Sequence, residues 1–226
     1  MNLKEKVKEI YSRIQAAQQK NGLNHQVELV GVTKTRPFSY IEQSYSVGLR
    51  HIGENRIQEA MKKFVSFEKM PDLKKRFIGH LQSNKSKKCV ELFDTVDSIG
   101  SIKTLKKVKK HSLDLKKNMS VLIEINTSKE VQKQGFFPDQ KEKILECFEY
   151  GGKSIDGLMT IGPNTSDKKS IRHAFITLRK TKDWIESETS TKLKHLSMGM
   201  SGDYELAVEE GSTMIRVGSF LYGPRY

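Results

Sequence analysis

Eight short apolar segments punctuate the 226-residue chain, at 28–33, 49–53, 76–80, 95–98, 120–126, 155–161, 195–200 and 214–221. Each is followed by a helical pattern or by room for one. The helical patterns fall at 38–48, 57–67, 138–150, 170–188 and 204–210, and a further amphipathic helix is expected at 2–20, before the first strand. Strands that alternate with helices make a parallel sheet, because each crossover brings the chain back over one face. Eight such units suit a (β/α)8 barrel of the TIM type, an α/β fold, although 226 residues is near its short end. The alternative is a doubly wound open sheet, but no G-x-G-x-x-G follows the first strand, which removes support for its dinucleotide-binding form. No sequence repeat, low-complexity tract or linker interrupts the pattern, so a single domain over 1–226 is expected.

Composition narrows the function classes. The only cysteines, Cys89 and Cys147, make no disulfide framework and no metal-type spacing, which suits a reducing cytoplasm and predicts no metal site. No run of 18 apolar residues exists, so no transmembrane helix is expected. The opening stretch "MNLKEKVKEIYSRI" is charged throughout and lacks the apolar centre of a secretory signal. A net charge of +13 raises the question of nucleic acid. The excess is mostly lysine, 31 against nine arginines, and is densest at 101–118. There Ile102, Leu105 and Val108 share one helix face and the lysines take the others. No aromatic residues interleave with them for base stacking, so a solvated helix face is the reading and no nucleic-acid partner is expected.

In such a barrel the active site lies at the C-terminal ends of the strands. Those ends are polar here. The first segment closes as "LVGVTKTRP", with Lys34 where the strand would leave the sheet. A lysine there can simply carry its ammonium to water along an apolar stem. It can also be a nucleophile for a carbonyl ligand. Further ends read "GENR", "GHLQSNK", "NTSKE", "GLMTIGP", "SMGMSGD" and "IRVGSFLYG". The small residues Ser197, Gly199, Ser201 and Gly202 precede a helix that starts near Asp203, as a backbone anion site requires. Ser201 also reads as the cap of that helix, with Glu205 closing a capping box. Arg216 interrupts an apolar strand and calls for an acidic partner or a ligand. Gly218 permits close backbone approach and Ser219 adds a hydroxyl. The loops after strands seven and eight commonly bind phosphate in this fold. A strand-end lysine, an arginine and a phosphate cup suit a phosphorylated carbonyl ligand, which leaves a sugar-phosphate aldolase and a binder of pyridoxal 5′-phosphate as two classes.

The motifs "GVTKTRP", "IGENRIQE", "FIGHLQSNK", "VDSI", "NTSKEVQKQGF", "GLMTIGP" and "LSMGMSGDYELAVEEGSTMIRVGSFLYG", in this order, give the chain a resemblance over nearly its whole length to the pyridoxal phosphate homeostasis proteins, the YggS or proline-synthase co-transcribed family. The resemblance implies a barrel similar to the N-terminal domain of alanine racemase. It implies that Lys34 joins the cofactor aldehyde as an imine and that Ser197, Ser201, Gly218 and Ser219 surround the phosphate. It sets Arg216 against the pyridine nitrogen and Asn55 near the ring, with His80 and Met159 in the neighbourhood. Ser219 stands where threonine is usual, Gly202 where aspartate is commoner, and Thr33 where serine is frequent; the chain also stops short of the family's usual basic tail.

An arginine at the ring nitrogen keeps its own proton and weakens the ring as an electron sink. Racemases of this fold type add a tyrosine base from a second domain, which this chain is expected to lack; Tyr222 and Tyr226 are the tyrosines near the end of the barrel. The expectation is therefore a monomeric, cytoplasmic carrier and buffer of pyridoxal phosphate without catalytic turnover, exchanging cofactor with pyridoxal-dependent apoenzymes. A weak amino-acid racemase is the alternative. Lys133 in "EVQKQG" is a second candidate for attachment, or an ordinary solvated lysine.

Overall fold

The computed structural model describes residues 1–130 and 132–224. Helix α1 (Leu3–Gln19) opens the chain behind a capping box in which Asn2 and Glu5 satisfy each other's backbone N–H groups. Its buried residues Val7, Ile10, Ile14 and Ala17 recur every three or four positions and lie in one apolar cluster with Leu29, Ile215, Val217 and Leu221. Eight strands follow: β1 (Glu28–Val32), β2 (His51–Glu54), β3 (Lys74–Phe77), β4 (Thr95–Ile99), β5 (Ser120–Glu124), β6 (Ile155–Met159), β7 (His195–Met200) and β8 (Met214–Val217). All pair in parallel, and β8 closes on β1, so the sheet is a closed barrel in chain order. Between them run α2 (Ser39–Ser46), α3 (Ile57–Lys63), α4 (Ser86–Leu92), α5 (Ile102–Asp114), α6 (Lys141–Gly151), α7 (Lys168–Thr189) and α8 (Tyr204–Glu209), and α9 (Ser219–Tyr222) follows β8.

The lysine-rich helix α5 buries Thr104, Leu105 and Val108 and turns Lys103, Lys106 and Lys110 to solvent. Both cysteines are buried in the apolar layer between sheet and helices.

The segment expected as strand at 214–221 ends at Val217. Past Gly218 the chain turns into α9, closed by hydrogen bonds from Tyr222 N–H to Gly218 C=O and from Gly223 N–H to Ser219 C=O, each 2.9 Å. Leu221 and Tyr222 bury themselves against α1 and α2, and the Tyr222 hydroxyl meets Ser44 Oγ at 2.7 Å. A short apolar run does not reveal by periodicity whether it is strand or helix, and tertiary packing decides here. The segments at 120–126 and 155–161 likewise stop pairing as strands at Glu124 and Met159, which leaves their polar ends free to line the mouth.

The barrel interior is layered. Val30, Leu122, Met159 and Met214 form an apolar cluster in the middle, all at 1% exposure or less. Toward the N-terminal ends of the strands Arg76 donates to both Asp97 oxygens at 3.1 Å, to Glu28 at 3.4 Å and from Nε to His51 Nδ1 at 3.1 Å. Accepting that bond requires a neutral His51. Burial first, and Arg76 next, push both His51 and His195 down to about 3. These rings stay neutral in the folded protein while the unfolded chain takes up protons near 6.5. Stability is therefore full above about pH 6.5 and falls as pH drops through the window toward 3. The expected slope is about 1.4 kcal/mol per pH unit for each histidine. NMR titration checks this: both rings should remain neutral at about pH 5, and midpoints near 6.5 would contradict it.

Candidate functional site

Polar groups gather at the other end, where the strands finish. Lys34 leaves β1 two residues past its last paired position and lines a cavity of about 310 Å³ with Arg36, Asn55, Ser201, Arg216, Gly218 and Ser219. That volume suits a small-molecule site. Of the nine residues singled out from sequence, six therefore share this cavity. Ser197 is fully buried beneath Arg216, Met159 lies one layer lower in the barrel interior, and His80 stands on the rim of a neighbouring cavity.

The backbone around Lys34 is held from both sides. Thr35 has φ +64°, in the left-handed region, and its N–H donates to Glu59. On the other side the Thr33 carbonyl accepts from Lys63 Nζ at 2.8 Å, and the Thr33 hydroxyl donates to Glu54 at 2.6 Å. Lys63 completes the cluster with ion pairs to Glu54 at 2.6 Å and to Glu59 at 3.1 Å. Burial raises the Glu54 carboxyl even against the pull of Lys63.

Of the acidic partner or ligand that its sequence context calls for, Arg216 meets no carboxylate directly among the described residues. Its guanidinium donates to the Ser197 carbonyl at 2.8 Å, Ser197 Oγ at 2.7 Å and the Thr160 carbonyl at 2.7 Å. Burial opposes its charge, while Asp97, Asp203 and Glu124 support it from a distance. Arginine stays a cation in such a setting.

Ser201 does not cap α8. Asp203 occupies the cap position and accepts from Met200 N–H at 2.6 Å, and Glu205 pairs with Arg13 instead. Ser201 Oγ accepts from the N–H groups of Gly218 and Phe220 at 3.3 and 3.4 Å. The Gly218 backbone and the Ser201 and Ser219 hydroxyls thus share one side of the cavity, a donor set that suits an anion. The loop reaches this place through Gly199, at φ +95°, where a Cβ would lie 2.8 Å from Tyr204 Cα.

Tyr222 also lines the cavity. Its hydroxyl is tied to Ser44, and burial pushes it up to about 12, so it stays protonated and serves poorly as a base at neutral pH. Tyr226 lies outside the described residues. Lys133 lines the neighbouring cavity, and its Nζ donates to Ser128, Glu130 and Gly162 C=O, which spends its three hydrogens. It is neither freely solvated nor in the cavity of Lys34.

Sequence reading passed over Glu124, the last residue of β5, although its signal matches that of Arg216: a charged side chain inside the apolar run "SVLIEIN". It also passed over the Glu54–Glu59–Lys63 cluster: Glu54 and Glu59 lie within "IGENRIQE", but Lys63 stands outside it and the motif does not join the three.

Residues 6–226 match the family model for the alanine racemase N-terminal domain. A pyridoxal phosphate homeostasis protein of Aquifex aeolicus is 35% identical, over 100% of this chain and 99% of the relative. One from Schizosaccharomyces pombe is 38% identical, over 94% and 90%. Among solved structures, PipY of Synechococcus elongatus with PLP bound superposes with a TM-score of 0.84 at 30% identity, covering 98% of this chain and 100% of that one. An alanine racemase of Clostridium difficile gives 0.72 at 17% identity, covering 99% of this chain and 57% of that one, a likeness of fold alone. No helix among the described residues is long and apolar enough to cross a membrane.

Proposed function

The chain belongs to the alanine racemase N-terminal domain family and, within it, to the pyridoxal phosphate homeostasis proteins, and from that premise we propose that it holds pyridoxal 5′-phosphate on Lys34 and passes it on without turning over amino acids. The observation that carries this reading is one cavity bringing together a lysine amine, a guanidinium and an anion-type corner. The donor set fits the cofactor. When bound, pyridoxal phosphate supplies an aldehyde that condenses reversibly with a primary amine.

Each residue then has a role. Lys34 would offer the amine that holds the aldehyde carbon. Ser201, Ser219 and the Gly218 N–H would hold the phosphate oxygens. Arg216, fixed by Ser197 and Thr160, would donate to the ring nitrogen, and because arginine keeps its own proton this would support carbanion chemistry only weakly. Asn55 would lie near the ring. Tyr222 stays protonated, so it does not supply the second base that a racemase of this fold type needs.

The phosphate corner is expected to dominate affinity. Each hydrogen bond to a charged oxygen contributes roughly 1.5–3 kcal/mol. Ser201→Ala with Ser219→Ala should weaken binding on the order of a hundredfold. Titration with pyridoxal and with pyridoxal phosphate, followed by visible absorbance, measures it; equal affinity for the two would refute the phosphate role. The loaded protein is then mixed with a cofactor-free pyridoxal enzyme and, separately, with L-alanine. Recovery of enzyme activity without racemisation is the expected pair of results. No recovery removes the carrier role, and sustained racemisation makes the protein an enzyme.

A further inference from the structure

A second cavity of about 190 Å³ abuts the first and shares Asn55, Ile78 and Ile161 with it. Glu124 lines it at the end of β5. This side chain is only 6% exposed, and its carboxylate accepts no hydrogen bond from any described residue. The other polar groups of the wall are largely committed elsewhere. Ser98 donates to the Gly79 carbonyl, the Asn126 amide donates to the carbonyls of Glu130 and Lys133, and Lys133 has spent its donors. The loop is moulded against the acid: Gly135, at φ +103°, could carry no side chain, since a Cβ would lie 2.8 Å from the Glu124 carbonyl and 3.0 Å from its Cγ. The Glu124 carboxylate opens onto the cavity, where an arriving cation can reach it.

We propose that this second cavity binds a small primary amine as its ammonium ion, and that Glu124 takes the proton that must leave before the amine can displace Lys34. The idea rests on the cofactor reading above. Among the described residues Glu124 is the one carboxylate on this wall and Lys133 is already paired with Glu130, so the wall and the small volume favour a compact cation, next to the cavity of Lys34. The exchange balances as follows. The ammonium gives one proton to the Glu124 carboxylate. The freed nitrogen lone pair would add at the carbon held by Lys34; as both bonds from that carbon to the lysine nitrogen break and both form to the amine, the amine's two remaining hydrogens pass to the lysine nitrogen, which then takes the proton back from Glu124 and leaves as an ammonium. Nothing is oxidised or reduced.

The electrostatics agree. Burial pushes Glu124 up to about 7, with Arg216 on β8 pulling the other way. His80 and Lys133 stand on the walls of the same cavity, and Asp97 and Asp203 share the field of Arg216. Glu124 is therefore a carboxylate above about 7, where it can hold an ammonium and accept its proton, and increasingly a neutral acid below.

The test compares the full chain with Glu124→Gln, an isosteric change. The first readout needs no cofactor. Ethylammonium chloride at about ten times its Kd should raise the melting temperature of the parent by about 3–6 °C over equal sodium chloride, and leave the variant unmoved. In the second, the pyridoxal phosphate-loaded proteins are mixed with ethylamine and the visible change is timed. The parent should exchange faster as pH rises through about 7, and the variant should be slower by roughly a hundredfold, without that inflection. Pyridoxal phosphate affinity should be similar in both proteins. Equal ammonium stabilisation, or equal exchange rates, in parent and variant overturns the proposal. A parent that binds no pyridoxal phosphate refutes the earlier reading instead, and the ammonium arm still decides whether Glu124 holds a cation.

Discussion

A Lys34→Ala variant mixed with pyridoxal phosphate should show no visible band of a lysine-linked cofactor, and borohydride should leave no label on the peptide around residue 34. The parent is expected to show both the band and the label. The expected effect is all-or-none because the replacement removes the nitrogen proposed to form the bond. Lys34 is favoured over the other lysines by its surroundings. It is half-buried at a strand end, in one cavity with Arg216 and the serine corner. Lys133 faces a different cavity with its hydrogens committed to three acceptors. Retention of the band in Lys34→Ala, with the label moved to the peptide of Lys133, would transfer the attachment there.

Lys63→Met costs about 3–5 kcal/mol of folding stability, the usual penalty for removing one partner of a buried ion pair. Its ammonium is only 6% exposed and serves Glu54, Glu59 and the Thr33 carbonyl together, so the change strands an acid and a backbone acceptor. Urea unfolding measures the loss, and adding Glu54→Gln to the variant should restore part of it, since the amide carries no charge to strand. A loss below about 1 kcal/mol would show that the cluster is solvated in practice. Because Thr33 and Thr35 flank Lys34, the same variant should also broaden the visible band of the loaded protein.

The architecture was legible because each strand is a short apolar run and each crossover helix has its own spacing, so eight units can be counted without pairing any of them. The ends of the runs were less legible. Residues 214–221 are apolar enough to continue as strand, yet Tyr222 gains a hydrogen bond to Ser44 and burial against the outer helices by turning into α9. Ser201 followed the same logic: three residues before a helix it reads as part of a cap, but the register of β7 against β8 brings Gly218 and Phe220 within its reach. In the site, Lys34, Asn55, Arg216 and the serine loops announce themselves as polar strand ends. Glu124 does so equally, one residue before "INTSKE", but its meaning depends on lacking a donor, and that is settled only by neighbours from other strands. Glu59 and Lys63 are hidden for the opposite reason, since ordinary surface helices carry such a pair four residues apart, and Glu54 joins them only from the end of β2.

The pairing of β8 with β1 has a consequence for how the chain comes to fold. Val30 sits opposite Arg216, and α1 packs beside α8 and α9, with Lys6 Nζ donating to the Leu221 carbonyl at 2.9 Å. These contacts span almost the entire sequence, and contacts of such separation form late because the intervening chain must be ordered around them. On the ribosome the apolar stripe of α1 and one edge of the first strand wait uncovered until the last strand emerges. Lys34 belongs to the first part made and Arg216 to the last. On the proposed function, capture of the aldehyde would be a property of the completed ring, acquired in the same step that buries the exposed edge.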